Sequence, residues 1–223
     1  MEYLSREPIQ YTRKQKIQNW IYYNKWWVLA VLAVVAMIVS WGVTAWRNTH
    51  NLPDYQFAYV GRHYLPDSAV EAFEQAMAAY GEDLNGDGQV LVNLVQYNLI
   101  ENADPNQTIG VSVRLMADLS ECESFFYLLE DPDAFQAGYQ VLGYLDGSEP
   151  PETDTTAENK VILWSDSSLL SGLEMGTYTY ETLGQVITGD AQSVFEGLYV
   201  GYRCYWKLDT DPARFALWEK IIQ

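Results

Sequence analysis

The sequence has few of the side chains that carry out enzyme chemistry. Its 223 residues include two cysteines and two histidines. His50 and His63 cannot supply a histidine-rich zinc site, and neither is accompanied by the G-x-S-x-G motif of serine hydrolases. A general base also requires a nucleophile and an orienting partner. The composition therefore contains no catalytic signature, which favours a binding role over an enzymatic one.

Basic residues are also scarce, with 13 against 30 acidic residues and a net charge of −17. They are unevenly distributed, because residues 1–25 carry five basic and two acidic side chains, whereas residues 47–223 carry 8 basic and 28 acidic ones. A domain with a net charge of about −20 repels nucleic acid and anionic lipid headgroups. We therefore expect no nucleic-acid partner.

One long stretch lacks charge altogether, WWVLAVLAVVAMIVSWGVTAW from Trp26 to Trp46. A helix of this length rises about 30 Å, which matches the hydrocarbon core of a bilayer. Tryptophans at both ends are typical of interfacial aromatic belts. The sequence predicts a single transmembrane helix at residues 26–46 in contact with the lipid bilayer.

Charge asymmetry predicts the orientation of this helix. The positive-inside rule places residues 1–25 in the cytoplasm, and residues 47–54 then form a linker to one extracytoplasmic domain, residues 55–223. The predicted location is the cell membrane, with a single pass. A cleaved signal peptide ending near Val43-Thr44-Ala45 is the alternative, but the apolar run exceeds the usual ~7–15 residues, which favours an uncleaved anchor.

Strand-like and helical patterns alternate after the linker. Three strands are predicted at residues 55–61 (YQFAYVG), 90–99 (VLVNLVQYNL) and 124–130 (SFFYLLE). Each strand is followed by a helix that begins near Pro66, Pro105 or Pro132. This alternation predicts an α/β domain of three layers, in which helices cover both faces of a mostly parallel sheet.

Apolar spacing predicts which residues of these helices are buried. For the helix after Pro105, the predicted buried residues are Ile109, Val113 and Met116. For the helix after Pro132, they are Phe135, Tyr139, Leu142 and Leu145.

The C-terminal part is less regular. VILW at residues 161–164 is predicted to be a strand, whereas residues 165–192 show no clear period. Apolar and polar residues alternate in 198–208, which predicts one half-buried strand that returns antiparallel or near an edge of the sheet. A last helix follows Asp211-Pro212.

This order resembles one lobe of an extracytoplasmic solute-binding protein of the type II periplasmic-binding fold. The similarity rests on YQFAYVG, VEAFEQAMAAYG, VLVNLVQYNL and VRLMADLSECESFFYLLEDPDAF. The resemblance implies a ligand-binding role outside the cytoplasm. Only about 50 residues separate Leu145 from Leu198, which leaves no room for the second lobe that closes over a ligand in that family, and the family's lipoprotein cysteine is absent.

A possible calcium site lies in DLNGDGQ, residues 83–89. Asp83, Asn85 and Asp87 have the spacing of the first three oxygen ligands of a D-x-N-x-D-G loop, and Gln89 has the position of the carbonyl ligand. The twelfth position, where an EF-hand has glutamate, is Leu94. The alternative is a polar turn, since Asn-Gly and Asp-Gly are also common turn pairs.

The two cysteines, Cys122 and Cys204, both lie beyond the predicted span. If the strand at 124–130 and the returning strand are antiparallel neighbours, a disulfide between them is geometrically possible. Two buried thiols are the alternative that we favour.

Arg62 and His63 follow the first predicted strand. Open α/β sheets bind ligands at the carboxyl ends of their strands, so these two residues are the predicted ligand-binding pair. The sequence therefore predicts a membrane-anchored, non-catalytic binding domain for a small solute. One alternative is a module that assembles with a membrane or envelope protein, and a carboxylate-dependent hydrolase is a second.

Overall fold

The computed structural model describes residues 12–50, 52–100, 104–182, 184–204 and 211–223, without the side chains of 45–50 and 105. The chain divides into two compact units, Met1–Asn51 and Leu52–Gln223. The first unit contains the helices α1 (Arg13–Tyr23) and α2 (Lys25–His50).

Helix α1 begins at a capping box, in which the side chains of Thr12 and Gln15 each accept a hydrogen bond from the other residue's backbone. It ends at Asn24, directly before α2. Over Lys25–Thr44, α2 is long and apolar enough to cross a membrane. The predicted length and apolar character of this helix are therefore confirmed.

The second unit alternates strands and helices through its first half. Its elements are β1 (Tyr55–Gly61), α3 (Asp67–Ala78), β2 (Val92–Asn98), α4 (Pro105–Glu121), β3 (Phe126–Leu129), α5 (Pro132–Tyr139), β4 (Val161–Leu163), α6 (Ser168–Ser171), β5 (Thr177–Thr182), β6 (Gln185–Asp190), β7 (Tyr199–Tyr202) and α7 (Pro212–Ile221).

Five strands form one sheet in the order β2-β1-β3-β7-β4. Strand β1 pairs in parallel with β2 and β3, and β7 is antiparallel to both β3 and β4. Four strands therefore run in one direction and β7 in the other, which confirms the mostly parallel sheet with one antiparallel return strand. The return strand is shorter than predicted and lies inside the sheet, and residues 205–208 of the prediction lie outside the described residues.

The central strands are buried on both faces. In β1, Phe57 and Tyr59 belong to a core cluster that includes residues of α3 and α7, whereas Ala58 and Val60 belong to a second cluster with residues of α4 and α5. In the first cluster, the ring of Phe57 stacks on Phe126 with centroids 4.6 Å apart. The run YQFAYVG, predicted to be a strand, is therefore a strand buried on both faces.

The buried face of α4 differs from the prediction. Ile109, Val113 and Met116 are about 60% exposed, whereas Leu115 and Leu119 are buried. Two apolar stripes compete on this helix, and the buried one also contains a carboxylate, Asp118, which is why apolar spacing alone selects the wrong face.

Hydrogen bonds make the burial of Asp118 possible. Its carboxylate accepts bonds from the Tyr97 hydroxyl at 2.7 Å and from the Ser124 hydroxyl at 2.6 Å. Because buried charge requires such partners, the side of α4 that faces the sheet is determined by β2 and by the residues that precede β3.

Two further segments depart from the sequence analysis. Helix α5 ends at Tyr139, because Gln140 has a left-handed backbone with φ 53°, so Leu142 and Leu145 are not part of its buried face. The unassigned residues 165–192 contain α6 and an antiparallel hairpin, β5–β6, that is separate from the main sheet.

The corrected face of α4 yields a stability prediction. Leu115→Ala is expected to lower the free energy of unfolding by about 2–4 kcal/mol, because it removes a fully buried side chain. The neighbouring substitution Met116→Ala is expected to change it by less than about 0.5 kcal/mol. Urea unfolding of both variants of the full chain measures this contrast, and equal losses would contradict the assigned face.

Candidate functional site

The candidate site lies at the carboxyl ends of β1 and β3. The chain leaves β1 through α3 to reach β2 on one side, and it leaves β2 through α4 to reach β3 on the other side of β1. A crevice opens outside the strands at such a change of direction. A cavity of about 410 Å³ occupies this position, and its lining residues are Val60, Gly61, Arg62, Leu99, Glu130, Asp131, Ala134, Phe135, Gly138 and Tyr139.

Glu130 connects the ends of the two strands. Its Oε2 atom accepts a hydrogen bond from the Arg62 backbone N–H at 2.8 Å. Its Oε1 atom contacts the Tyr59 hydroxyl and lies 3.2 Å from the His63 backbone nitrogen and 2.9 Å from His63 Nδ1. One carboxylate directly after β3 thus holds the turn that follows β1.

These bonds set the ionisation of the site. Burial raises the pKa of the Glu130 carboxyl, but the bonds from the Tyr59 hydroxyl, the Arg62 amide and His63 outweigh burial and lower that pKa overall. Burial, together with the bond to Glu130, raises the pKa of the Tyr59 phenol. At neutral pH, Glu130 is therefore charged and Tyr59 is a neutral donor.

Asp131 shapes the other side of the cavity mouth. Its side chain caps α5 by accepting a hydrogen bond from the Ala134 backbone N–H at 3.0 Å. The same carboxylate lies 3.7 Å from the guanidinium of Arg62, and both side chains are about half exposed. Such a solvent-screened ion pair contributes little to stability.

The two residues predicted to bind ligand have different surroundings. Arg62 lines the cavity, whereas the His63 side chain is 84% exposed and bonds Glu130. Glu130 and Asp131 were not predicted from the sequence. Glu130 and Asp131 directly follow the buried residues of β3, so the carboxyl-end rule applied to that strand as well as to β1 finds them.

The contact between His63 and Glu130 resembles the orienting half of an acid–base pair. A hydrolytic enzyme of the triad type also needs a nucleophile within hydrogen-bond reach of the base. Among the described contacts of the His63 imidazole, none involves a serine, threonine or cysteine side chain. The arrangement orders a turn beside an apolar cavity, which is suited to binding.

The predicted calcium loop lies elsewhere, between α3 and β2. Asp83 accepts bonds from the backbone N–H groups of Gly86, Asp87 and Gly88, while Asn85 and Asp87 accept bonds from backbone N–H groups further along the loop. The bonds that Asp83 itself accepts, that from the Gly88 N–H first, lower the pKa of its carboxyl. The described residues contain no group of three His, Cys, Asp or Glu side chains placed to hold a metal, and calcium binding at Asp83, Asn85, Asp87 and Gln89 stays a prediction.

Both cysteines are free thiols in the structure. Strands β3 and β7 are antiparallel neighbours as predicted, and a disulfide between Cys122 and Cys204 stays a prediction. Cys122 ends α4 in a left-handed conformation with φ 58°. Burial raises the pKa of Cys204 to about 11, which disfavours a reactive thiolate.

Comparisons with protein-family models, with curated proteins and with solved structures found no significant match to this chain. The resemblance to a solute-binding lobe therefore stays a prediction.

The Glu130 contacts generate a pH prediction. Because its folded-state pKa lies below the usual value of 4.5, the stability that the carboxylate contributes is fully present above that pH and is lost as the pH falls through the folded-state pKa. Glu130→Gln is expected to lower the free energy of unfolding by about 1–3 kcal/mol near neutral pH, since the backbone donors lose a charged acceptor.

The difference between wild type and Glu130→Gln should shrink below about pH 4, as measured by urea unfolding at a series of pH values. Glu158→Gln is the matched control, because it removes the same charge at an exposed position. A difference that stays constant as the pH falls would contradict the role assigned to Glu130.

Proposed function

We propose that this protein is a single-pass membrane protein whose extracytoplasmic, three-layer α/β domain binds a small ligand without catalysing a reaction. The cavity at the carboxyl ends of β1 and β3 is the observation that carries the proposal. Its size, about 410 Å³, falls in the range typical of small-molecule sites.

The membrane part of the proposal rests on α2 and on charge. The helix is long and apolar enough to span a bilayer, and its exposed side chains include large apolar residues along its length, such as Leu32, Val35 and Ile38. Hydrocarbon is the medium in which such a surface is stable. The excess of basic residues before the helix and of acidic residues after it favours a cytoplasmic N-terminus.

The ligand-binding part rests on how the cavity is built. Its walls come from the ends of two buried strands and from one face of α5, and all three are held together by Glu130 and Asp131. A site on such ordered elements loses little conformational entropy when a ligand binds. The relationship to one lobe of a solute-binding protein belongs to this proposal as well.

A cavity-filling substitution tests the proposal. Ala134 is exposed and lines the cavity, so Ala134→Trp is expected to fill it without disturbing the core. Native mass spectrometry of the full chain released from membranes should detect a low-mass ligand on wild type that Ala134→Trp has lost. Ala137→Trp, on the same helix but not lining the cavity, should keep the ligand. Equal loading of all three proteins would contradict the proposal.

A second candidate function, assembly with another protein, is favoured by the exposed stripe on α4. Ile109, Val113 and Met116 form an apolar patch, and exposed apolar patches mark interaction surfaces. Between residues 105 and 117 the only charged residue is Arg114. In a domain of about −20 net charge, this face is where a second copy of the chain can approach with little repulsion. We therefore propose a second copy as its partner.

Three side chains are far fewer than the roughly 20–30 residues per partner of a stable soluble interface, so association should depend on both copies sharing one membrane. Cross-linking of the full chain in lipid vesicles should yield dimers, and Val113→Lys should reduce them roughly tenfold. Ala137→Lys adds the same charge on another helix and should have no effect. Dimers that survive Val113→Lys would rule out this face.

A further inference from the structure

The cavity between β1 and α5 has an apolar interior. Its lining includes the large apolar side chains of Val60, Leu99, Phe135 and Tyr139. The rings of Phe135 and Tyr139 pack against each other with centroids 5.1 Å apart, so one side of the cavity is aromatic. Such walls favour a ligand with an apolar body, since burying apolar surface is the main source of affinity in a site of this kind.

The mouth of the cavity offers hydrogen-bond acceptors. The Oε1 atom of Glu130 receives the Tyr59 hydroxyl, the His63 amide and the His63 imidazole. Its Oε2 atom receives only the Arg62 amide among the described contacts. A carboxylate oxygen accepts more than one hydrogen bond, so Oε2, which has fewer described donors than Oε1, can accept a bond from a ligand in the cavity.

Charge at the mouth disfavours anionic ligands. Glu130 and Asp131 contribute two negative charges and Arg62 one positive charge, so the mouth carries one net negative charge. The rest of the domain adds a strongly negative field, since residues 47–223 carry 28 acidic and 8 basic side chains. Aromatic faces in the wall also attract cations.

We infer that the cavity takes a compact apolar molecule with one protonated amine, whose N–H group bonds Glu130 Oε2 and whose body packs against Phe135 and Tyr139. This inference rests on the ligand-binding function proposed above and adds the chemical class of the ligand. The positive charge of Arg62 partly offsets the negative charges of Glu130 and Asp131 at the cavity mouth.

Three probes of similar shape and different charge test the inference: 2-phenylethylamine, 2-phenylethanol and phenylacetate. Their binding to the full chain in detergent micelles is measured by ligand-observed NMR, and Ala134→Trp protein in the same micelles corrects for partitioning into detergent. Wild type should bind the amine roughly tenfold more tightly than the alcohol, because the charged ammonium donor is attracted to the Glu130 carboxylate and the neutral hydroxyl donor is not. Phenylacetate should not bind.

Two substitutions test whether charge at the cavity mouth causes the preference for the amine over the alcohol. Asp131→Asn keeps the capping oxygen of α5 and removes one charge at the mouth, so it should weaken amine binding about threefold and leave alcohol binding unchanged. Asp133→Asn removes the same charge on the same helix outside the cavity lining and should leave both unchanged.

The outcomes separate the inference from the proposed function. If the alcohol binds as tightly as the amine, or phenylacetate binds best, the amine class is overturned while ligand binding at the cavity stands. If no probe binds wild type more tightly than Ala134→Trp, the inference is overturned, and the ligand-binding function is overturned with it only if native mass spectrometry also finds equal loading of the two proteins.

Discussion

The structure depends on how the two ends of β1 are held. This strand is the centre of the parallel pairing and is buried on both faces. A carboxylate ties each of its ends to a neighbouring segment. Asp54, directly before β1, accepts bonds from the backbone N–H groups of Leu84, Asn85 and Leu91 in the loop that leads to β2. Glu130, directly after β3, accepts bonds from the backbone N–H groups of Arg62 and His63 after β1.

The two ends of the sheet, at the amino and carboxyl ends of β1, differ in how far they are buried. At the amino edge, Asp54 is 2% exposed, and its bonds tie the DLNGDG loop to the start of β1. Its backbone oxygen also accepts bonds from the Arg214 guanidinium of α7, so this edge is closed by the C-terminal helix. At the carboxyl edge, Glu130 is only partly buried and a cavity stays open beside it. The carboxyl edge is thus the edge that can receive a ligand.

The exposed apolar face of α4 is a second feature that the fold leaves uncovered. Burial of Asp118 turns Leu115 and Leu119 toward the sheet, and the opposite stripe of Ile109, Val113 and Met116 is then directed outward. An apolar stripe on a strongly acidic domain is unusual among exposed helix faces, since charge otherwise keeps such a domain soluble.

The sequence by itself determined the apolar helix near the N-terminus, the alternation of strands and helices, and the single antiparallel strand of the five-stranded sheet. These features follow from local composition and from period, which act over a few residues. Arg62 was placed at the cavity by the same local rule, because it directly follows a strand.

Only the tertiary structure decided which residues meet across the chain. Glu130 is 67 residues from the His63 that it bonds, and nothing in either segment indicates the other. The buried face of α4 likewise depended on Tyr97 and Ser124, which make a polar residue acceptable inside the core. Hydrogen bonds between distant segments have no sequence period, so burial of Asp118 and assembly of the cavity mouth become visible only once the strands are side by side.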